Sequence, residues 1–159
     1  MTHVLDGNEI GDRIRDGLRG SIDTLADAGA RPGLATVLMS EDAASETYVS
    51  MKREACEDLG IESLHYELDP DAPASELFDT IESLNDDPEA HGILVQMPVP
   101  DHVEKSRVLR SIDPVKDVDG FHPENVGRLV AGDPRFKPCT PHGVQKLLEA
   151  ADIDTEGKD

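Results

Sequence analysis

The chain has 159 residues, of which 37% are hydrophobic, and its 15 basic and 34 acidic side chains give a net charge of −19. The hydrophobic residues fall in patterned runs, which excludes wholesale disorder, and no run approaches the roughly 18 residues that a membrane span requires. A negative field of this size repels phosphate groups, so nucleic acids and anionic membranes are excluded as partners.

The acidic residues are spread through nearly every segment instead of being gathered in a tail. Such a coat is typical of a protein adapted to concentrated salt, which screens the repulsion; an ordinary acidic cytosolic protein is the alternative. The first nine residues show no basic stretch followed by an apolar core, and Cys56 and Cys139 match no metal-ligand spacing. We therefore expect reduced thiols, no metal ion, and a cytoplasmic location in a high-salt cytosol.

Helical and strand-like segments alternate through the first part of the chain. Apolar residues at steps of three or four predict a helix over residues 5–28. A continuous apolar run predicts a buried strand over 34–39, followed by a polar loop over 40–45. A second helix over 46–59 and a strand over 61–68 come next. The apolar face of the first helix comprises Ile10, Ile14, Leu18, Ile22 and Leu25.

The second part of the chain continues this alternation. The predicted elements are a helix opened by Pro73, a buried strand over 92–97, a short helix over 103–109, an acidic loop over 111–123, a helical turn over 125–130, a loop over 132–141 and a last helix over 142–150. Alternating helices and buried strands predict an α/β fold, a three-layer α/β/α domain with a mainly parallel sheet. Ligands of such sheets bind beyond the carboxyl ends of the strands, which directs attention to the loops after Met39, Met97 and Ile112.

The helix over 46–59 carries a lysine within a largely apolar face. Tyr48, Lys52 and Cys56 recur every four residues and therefore share that face. Burial generally lowers the pKa of a lysine, as general acid–base catalysis near neutral pH requires; alternatively, Lys52 only extends to solvent. Tyr-x-x-x-Lys also occurs in short-chain dehydrogenases, but their glycine-rich phosphate turn near the start of the chain is missing here, which excludes that class.

Two further positions carry polar groups where a cleft is expected. Gln96 interrupts a buried strand, and its amide needs a partner, which is either Lys52, a ligand or the loop backbone. Asp117 and Asp119 stand two residues apart before a glycine, so in an extended chain they point in opposite directions. One of them then faces solvent or Lys116, while the other enters the cleft and accepts hydrogen bonds from an amidine-like heterocycle. The alternative is a turn with solvated charges.

Four blocks of sequence together resemble one enzyme family. They are SETYVSMKREACEDLGI (45–61), GILVQMPVP (92–100), DPVKDVDGFHPENVGRL (113–129) and PCTPHG (138–143). In order and spacing they are similar to the bifunctional methylenetetrahydrofolate dehydrogenase/methenyltetrahydrofolate cyclohydrolase family. The likeness extends from about residue 5 to the end of the chain.

The resemblance implies roles for individual residues. Lys52 corresponds to the catalytic lysine of the family, and Gln96 to the glutamine that supports it. Asp119 corresponds to the aspartate that holds the pterin ring, and Tyr48 to the tyrosine that packs on the aminobenzoyl portion of the folate. Ser45 opens the same block and is an expected substrate-binding residue. The implied substrates are tetrahydrofolate derivatives, and the implied cofactor is NADP.

The resemblance also implies a second half. Members of the family continue past Lys158 into a Rossmann-type domain that holds NADP, so we expect residues 1–138 to form the folate-binding catalytic domain and residues 139–159 a linker helix and the start of the cofactor domain. We expect no cofactor-binding residue in this chain, a homodimer at full length, and little or no activity of this part alone. A folate-binding or interaction module without turnover is the alternative function.

Overall fold

The computed structural model describes residues 4–157, and every helix and strand predicted from the sequence is present. The elements are α1 (Gly7–Asp27), β1 (Gly33–Leu38), α2 (Ala43–Leu59), β2 (Glu62–Glu67), α3 (Ala74–Asp86), β3 (Gly92–Val95), α4 (Lys105–Ser111), α5 (Pro123–Val130) and α6 (Cys139–Ala150). Two residues of the expected linker segment, Lys158 and Asp159, lie outside the described residues. None of the described helices is long and apolar enough to cross a membrane.

The three strands form a parallel sheet in the order β2-β1-β3. Val37 in the central strand pairs with Tyr66 on one side and Val95 on the other. The chain moves one way across the sheet from β1 to β2 and back again from β2 to β3. Because parallel crossovers are right-handed, these opposite moves place α2 and α3 on opposite faces. The three-layer α/β/α domain predicted from the sequence is therefore confirmed.

The main hydrophobic core lies where β1 and β3 pack against α3 and the segment around α4. β1 and β3 are almost entirely buried, as their continuous apolar runs predict. The fully or nearly fully buried members of this core are Ala35, Val37, Met39, Leu77, Ile81, Leu84, Ala90, Ile93, Val95, Val103, Val108 and Ile112.

Two helices begin three residues earlier than predicted. α2 begins at Ala43, because the carboxylate of Asp42 accepts a hydrogen bond of 2.9 Å from the backbone N–H of Ser45 and so caps the helix. The prediction of a loop through residue 45 was wrong at its last three positions. α6 begins at Cys139, because Pro141 lies in its first turn, where a missing N–H removes no helical hydrogen bond.

The apolar face predicted for α1 is only partly covered. Ile22 is buried, but Ile14, Leu18 and Leu25 are each 46% exposed. Within the described residues, α1 packs mainly against α2 and α6. The helix was therefore predicted correctly, whereas the degree of burial implied by its pattern was not.

Candidate active site

The predicted lysine and glutamine meet at the carboxyl end of the sheet. Lys52 Nζ donates a hydrogen bond of 2.8 Å to Gln96 Oε1, although the two residues are 44 positions apart. The backbone N–H of Gln96 donates to Val37 O at 2.8 Å, so Gln96 continues the pairing of β3 with β1 by one residue. α2 begins just after the carboxyl end of β1, and Gln96 follows the carboxyl end of the neighbouring strand β3. The lysine and the amide therefore meet at the same end of the sheet.

The amide of Gln96 is satisfied on both sides. Its oxygen accepts from Lys52, while its Nε2 donates to the backbone oxygen of Met97 at 2.8 Å. Of the partners that the sequence left open, Lys52 and the loop backbone are thus both used. The bond to Met97 fixes which end of the amide faces the lysine, and Lys52 ends on a protein partner instead of only reaching solvent.

Tyr48 lies one turn before Lys52 on α2. The ring is 58% exposed, and Lys52 Nζ lies 6.0 Å from its centroid. The exposed ring is available for an aromatic ligand to stack upon. Ser45 is placed differently, because it is buried and its hydroxyl donates to Asp42 Oδ2 at 2.9 Å. Ser45 is therefore part of the α2 cap, and its predicted contact with substrate stays a prediction.

The loop after α4 brings Asp119 to the same edge of the sheet. The backbone N–H of Ile93 donates to Lys116 O at 2.7 Å, and Ile93 pairs with Asp117 in parallel. The loop therefore runs alongside β3 in the same direction, and this register brings Asp119 level with Val95, at the end of that strand. Gly120 then adopts a left-handed conformation with φ 69°, which a glycine adopts without steric strain.

Asp119 is half-buried, and burial raises the pKa of its carboxyl above the ordinary value of 3.8. The negative charge of Asp117 adds to this rise in pKa, whereas the charge of Lys52 and a contact with Cys139 oppose it. Because the charge of Lys52 acts on Asp119 and the lysine is bonded to Gln96, these three residues make up a candidate cluster. Their roles as site residues stay predictions.

Cys139 belongs to this cluster and was not predicted as a site residue. Its Sγ donates to Asp119 Oδ1 at 3.9 Å, a long contact. Burial and the charge of Asp119 both raise the pKa of the Cys139 thiol, so the group stays protonated and serves as a weak donor. The signal in the sequence that could have identified Cys139 was its position in the fourth block that resembles the family, PCTPHG.

Asp117 does not behave as the sequence suggested. It is only 2% exposed, and its Oδ2 accepts hydrogen bonds of 2.8 Å from the backbone N–H of His122 and from Asn125 Nδ2. Lys116 Nζ instead donates to the backbone oxygens of Leu84, Asn85 and Asp87. The expectation that one aspartate of the pair faces solvent or Lys116 was wrong, because the loop folds back onto α5 and α3.

The loop between β1 and α2 does not fit the phosphates of a dinucleotide cofactor. In dinucleotide-binding folds, a glycine-rich turn after the first strand leads to a helix N-terminus that holds the pyrophosphate. Here residues 39–42 contain no glycine, and the carboxylate of Asp42 occupies the α2 N-terminus. Hydrogen bonds from the backbone and side chain of Ser45 lower the pKa of Asp42, so a negative charge stands where a phosphate would bind.

Comparison with known proteins shows one consistent family. A family model described as the catalytic domain of tetrahydrofolate dehydrogenase/cyclohydrolase matches residues 5–119. The bifunctional protein FolD 1 of Haloarcula marismortui is 70% identical over 159 residues, which is 100% of this chain and 54% of that protein. The bifunctional protein FolD of Halobacterium salinarum is 57% identical over 157 residues, 99% of this chain and 53% of its own length.

Solved structures give the same result. The bifunctional FolD methylenetetrahydrofolate dehydrogenase/cyclohydrolase of Campylobacter jejuni superposes with a TM-score of 0.95 at 47% identity, over 99% of this chain and 56% of that one. The FolD enzyme of Trypanosoma brucei, complexed with NADP cofactor and inhibitor, superposes with a TM-score of 0.94 at 32% identity, over 98% and 54%. The chain spans about half the length of the relatives it matches.

Proposed function

The chain belongs to the tetrahydrofolate dehydrogenase/cyclohydrolase family, and from this we infer that it supplies the folate-binding and catalytic half of an enzyme that interconverts 5,10-methylene-, 5,10-methenyl- and 10-formyltetrahydrofolate. The observation that carries the proposal is the 2.8 Å hydrogen bond from Lys52 Nζ to Gln96 Oε1. In this proposal residues 1–138 form the catalytic domain and residues 139–159 lead into a second domain.

Lys52 is the proposed acid–base group of the hydrolytic step. Methenyltetrahydrofolate is a cation, and water adds to its bridging carbon. The bond from that carbon to N5 then breaks, N10 keeps the formyl group, and one proton is left over. Lys52 is the proposed acceptor of that proton, and Gln96 holds the amine toward the cleft through its side-chain oxygen.

Asp119 and Tyr48 are the proposed substrate-binding residues. A half-buried carboxylate can accept two hydrogen bonds from the amidine-like edge of the pterin, as it does from a guanidinium group. The exposed ring of Tyr48 packs on the aminobenzoyl portion of the same substrate. The negative charge of Asp119 also favours binding of the methenyl cation.

The dehydrogenase step requires a hydride acceptor, and we propose NADP bound by the second half of a longer protein. Support comes from the Trypanosoma brucei relative, which was solved with NADP. The loop between β1 and α2 lacks the glycine-rich turn of a dinucleotide site, so the proposal places the cofactor in that second half. We further propose a homodimer at full length and, from the haloarchaeal relatives and the acidic surface, a high-salt cytosol.

A second candidate is a folate-binding module without turnover. The observation that favours it is that the exposed ring of Tyr48 and the half-buried carboxylate of Asp119 are suited to binding a folate without any reaction at Lys52. The two candidates differ in one measurable property, hydrolysis of methenyltetrahydrofolate.

We expect Lys52→Met to abolish hydrolysis without unfolding the protein. The assay follows loss of methenyltetrahydrofolate absorbance at high salt. It uses the 159-residue chain and an extended form, in which the residues of the Haloarcula relative beyond the match follow position 159. Because general acid–base catalysis contributes about 10²–10⁴-fold, the rate should fall by that factor. Methionine fills a similar volume, so the melting temperature should change little.

The matched control is Arg53→Met, which removes an exposed cation from the next position of α2. Its hydrolysis rate should stay within twofold of the unchanged protein. A Lys52→Met rate within tenfold of the unchanged rate would remove Lys52 from the mechanism. An unchanged extended form that binds folate without hydrolysing it would favour the binding module.

A further inference from the structure

Two loops flank the carboxylate of Asp119. Residues 112–122 carry Asp119 itself, and residues 131–138 lead to Cys139, whose thiol contacts it. Both loops are attached to one chain of hydrogen bonds that begins at Asp117. Asp117 Oδ2 accepts two hydrogen bonds of 2.8 Å, one from the backbone N–H of His122 and one from Asn125 Nδ2.

Asn125 connects the two loops. It is completely buried on α5, and its Nδ2 also donates to the backbone oxygen of Pro114 at 2.9 Å. Its Oδ1 accepts from Arg135 Nη1 at 3.2 Å, and the same Nη1 lies 3.4 Å from Pro114 O. Arg135 also pairs with Glu124 at 3.0 Å. A single amide therefore bridges the loop of Asp119 and the loop that leads to Cys139.

We propose that Asp117, Asn125 and Arg135 form a positioning network that holds Asp119 in its substrate-binding orientation; this inference rests on the proposed function. The backbone N–H of His122 donates to Asp117 Oδ2, and this hydrogen bond closes a ring formed by the backbone of residues 117–122, which contains Asp119. The described contact of the Asp119 side chain itself is the long one to Cys139. Its position therefore depends on the backbone ring and on what anchors that ring.

A purely stabilising role explains this network poorly. Burying a carboxylate and an amide is costly, and well-packed apolar residues often give equal or greater stability. A polar network in which every donor and acceptor is paired instead favours one conformation of the segments that it joins. No buried side-chain polar atom lacks a partner among residues 4–157. What this network defines is the shape of the loop that presents Asp119.

The test is a double-mutant cycle between Arg135→Ala and Asp119→Ala. The measured quantity is the dissociation constant for 5-formyltetrahydrofolate, by calorimetry at high salt, in the 159-residue chain and in the extended form. If Arg135 acts through Asp119, Arg135→Ala raises the dissociation constant about three- to tenfold when Asp119 is present and leaves it within twofold when Asp119 is already alanine. Equal increases in both backgrounds, or no increase, would overturn the inference.

Three further variants separate positioning from general destabilisation. Arg110→Ala removes an exposed arginine of α4 that, among the described residues, hydrogen-bonds only within its own helix, and it should leave the dissociation constant unchanged. Arg135→Lys keeps a cation able to donate to the same oxygens and should restore affinity to within twofold. Should Arg135→Ala fail to fold, Arg135→Gln takes its place in the cycle.

The two proposals fail differently. An unchanged protein that binds folate but shows additive effects overturns the network alone. An unchanged protein that binds no folate in either form overturns the proposed function, and the network with it.

Discussion

The ionised carboxylate of Asp119 lowers the stability of the folded protein. Its carboxyl pKa is raised, first by burial and then by the charge of Asp117, so the folded protein binds the proton more tightly than the unfolded chain. The contribution of this group to stability is therefore fully present below the unfolded pKa and is lost as pH rises through the folded pKa. At neutral pH the charged group destabilises the fold, as expected for a residue retained for binding.

We expect Asp119→Asn to stabilise the protein and weaken folate binding. The neutral amide removes a desolvated charge at neutral pH, so the melting temperature should rise. Loss of a charge-assisted contact should weaken binding about 10- to 100-fold at neutral pH. Binding by the unchanged protein should also weaken as pH falls through the raised pKa of Asp119, while binding by Asp119→Asn should lose that dependence. Titration calorimetry between pH 4 and 8 measures the affinity and its pH dependence, and thermal melting at neutral pH measures the change in stability.

Asp113→Asn is the control for this substitution. Asp113 lies in the same loop, and its Oδ1 accepts from the backbone N–H of Val115, a bond that an asparagine oxygen can keep. Its affinity and pH profile should match those of the unchanged protein. A pH profile for Asp119→Asn that matches the unchanged protein would assign the titration to another group.

The sequence predicted the residues that face the cleft better than the residues behind them. Lys52 and Gln96 were identifiable because each breaks an apolar pattern, and their contact was one of the alternatives that the sequence left open for Gln96. The buried pair of Asp117 and Asn125 was not identifiable. Aspartate, glycine and proline in a loop predict solvated turns, and only the folded chain shows which carboxylate lies beneath α5.

At the scale of single elements, Lys116 joins the Asp119 loop to the end of α3. Its Nζ donates to Leu84 O at 3.0 Å, Asn85 O at 2.7 Å and Asp87 O at 2.8 Å. α3 has no basic residue in its own last turn, so Lys116 supplies the positive charge that the C-terminus of a helix favours. One side chain thus satisfies three backbone oxygens and anchors the loop.

We expect Lys116→Met to lower the free energy of unfolding by about 2–4 kcal/mol, because three backbone oxygens lose a charged donor. Chemical denaturation at a fixed high salt concentration measures the change. Lys146→Met is the control, since Lys146 forms an exposed pair with Glu149 within α6 and its loss should leave the denaturation midpoint unchanged. Equal midpoints for the two variants would show that Lys116 does not anchor the loop.

The starts of α2 and α6 show where pattern and local chemistry disagree. Polar residues 40–45 favour a loop, yet Asp42 followed three positions later by Ser45 is also a capping arrangement. In α6, Pro141 suggests a helix that starts after it, although proline is well tolerated in a first turn. The pattern of hydrophobic residues decides that a helix exists, while the cap decides where it starts.

At the scale of the whole molecule, acidic charge is far in excess of what ion pairs can neutralise. The ion pairs among residues 4–157 lie mainly at the surface, as between Arg13 and Glu9 or Arg31 and Glu62. α1 and α2 also have no basic residue in their last turns, so Asp27 and Glu57 oppose the helix dipoles. Repulsion of this kind is spread over the molecule and depends on ionic strength.

We expect the melting temperature to rise steeply between about 0.1 M and 2 M KCl, with loss of helix at the low end. The Debye length is about 30 Å at 0.01 M and about 3 Å at 1 M, so salt removes repulsion across the whole domain. Native stability is only about 5–15 kcal/mol, and a summed repulsion of several kcal/mol is enough to unfold the chain. Circular dichroism measures both the melting temperature and the helix content.

Two mechanisms contribute to this rise and can be separated. Screening is nearly complete by about 1 M, so a further rise above that concentration reflects ion binding or salting-out of apolar surface, including the half-exposed Leu18 and Leu25 of α1. A variant with Asp23→Asn, Asp27→Asn and Glu57→Gln should melt higher at low salt and show a flatter rise below 1 M, with an unchanged slope above it. A melting temperature that stays flat across the range would mean that the acidic surface is tolerated and not adaptive, and the proposed high-salt cytosol would have to be withdrawn.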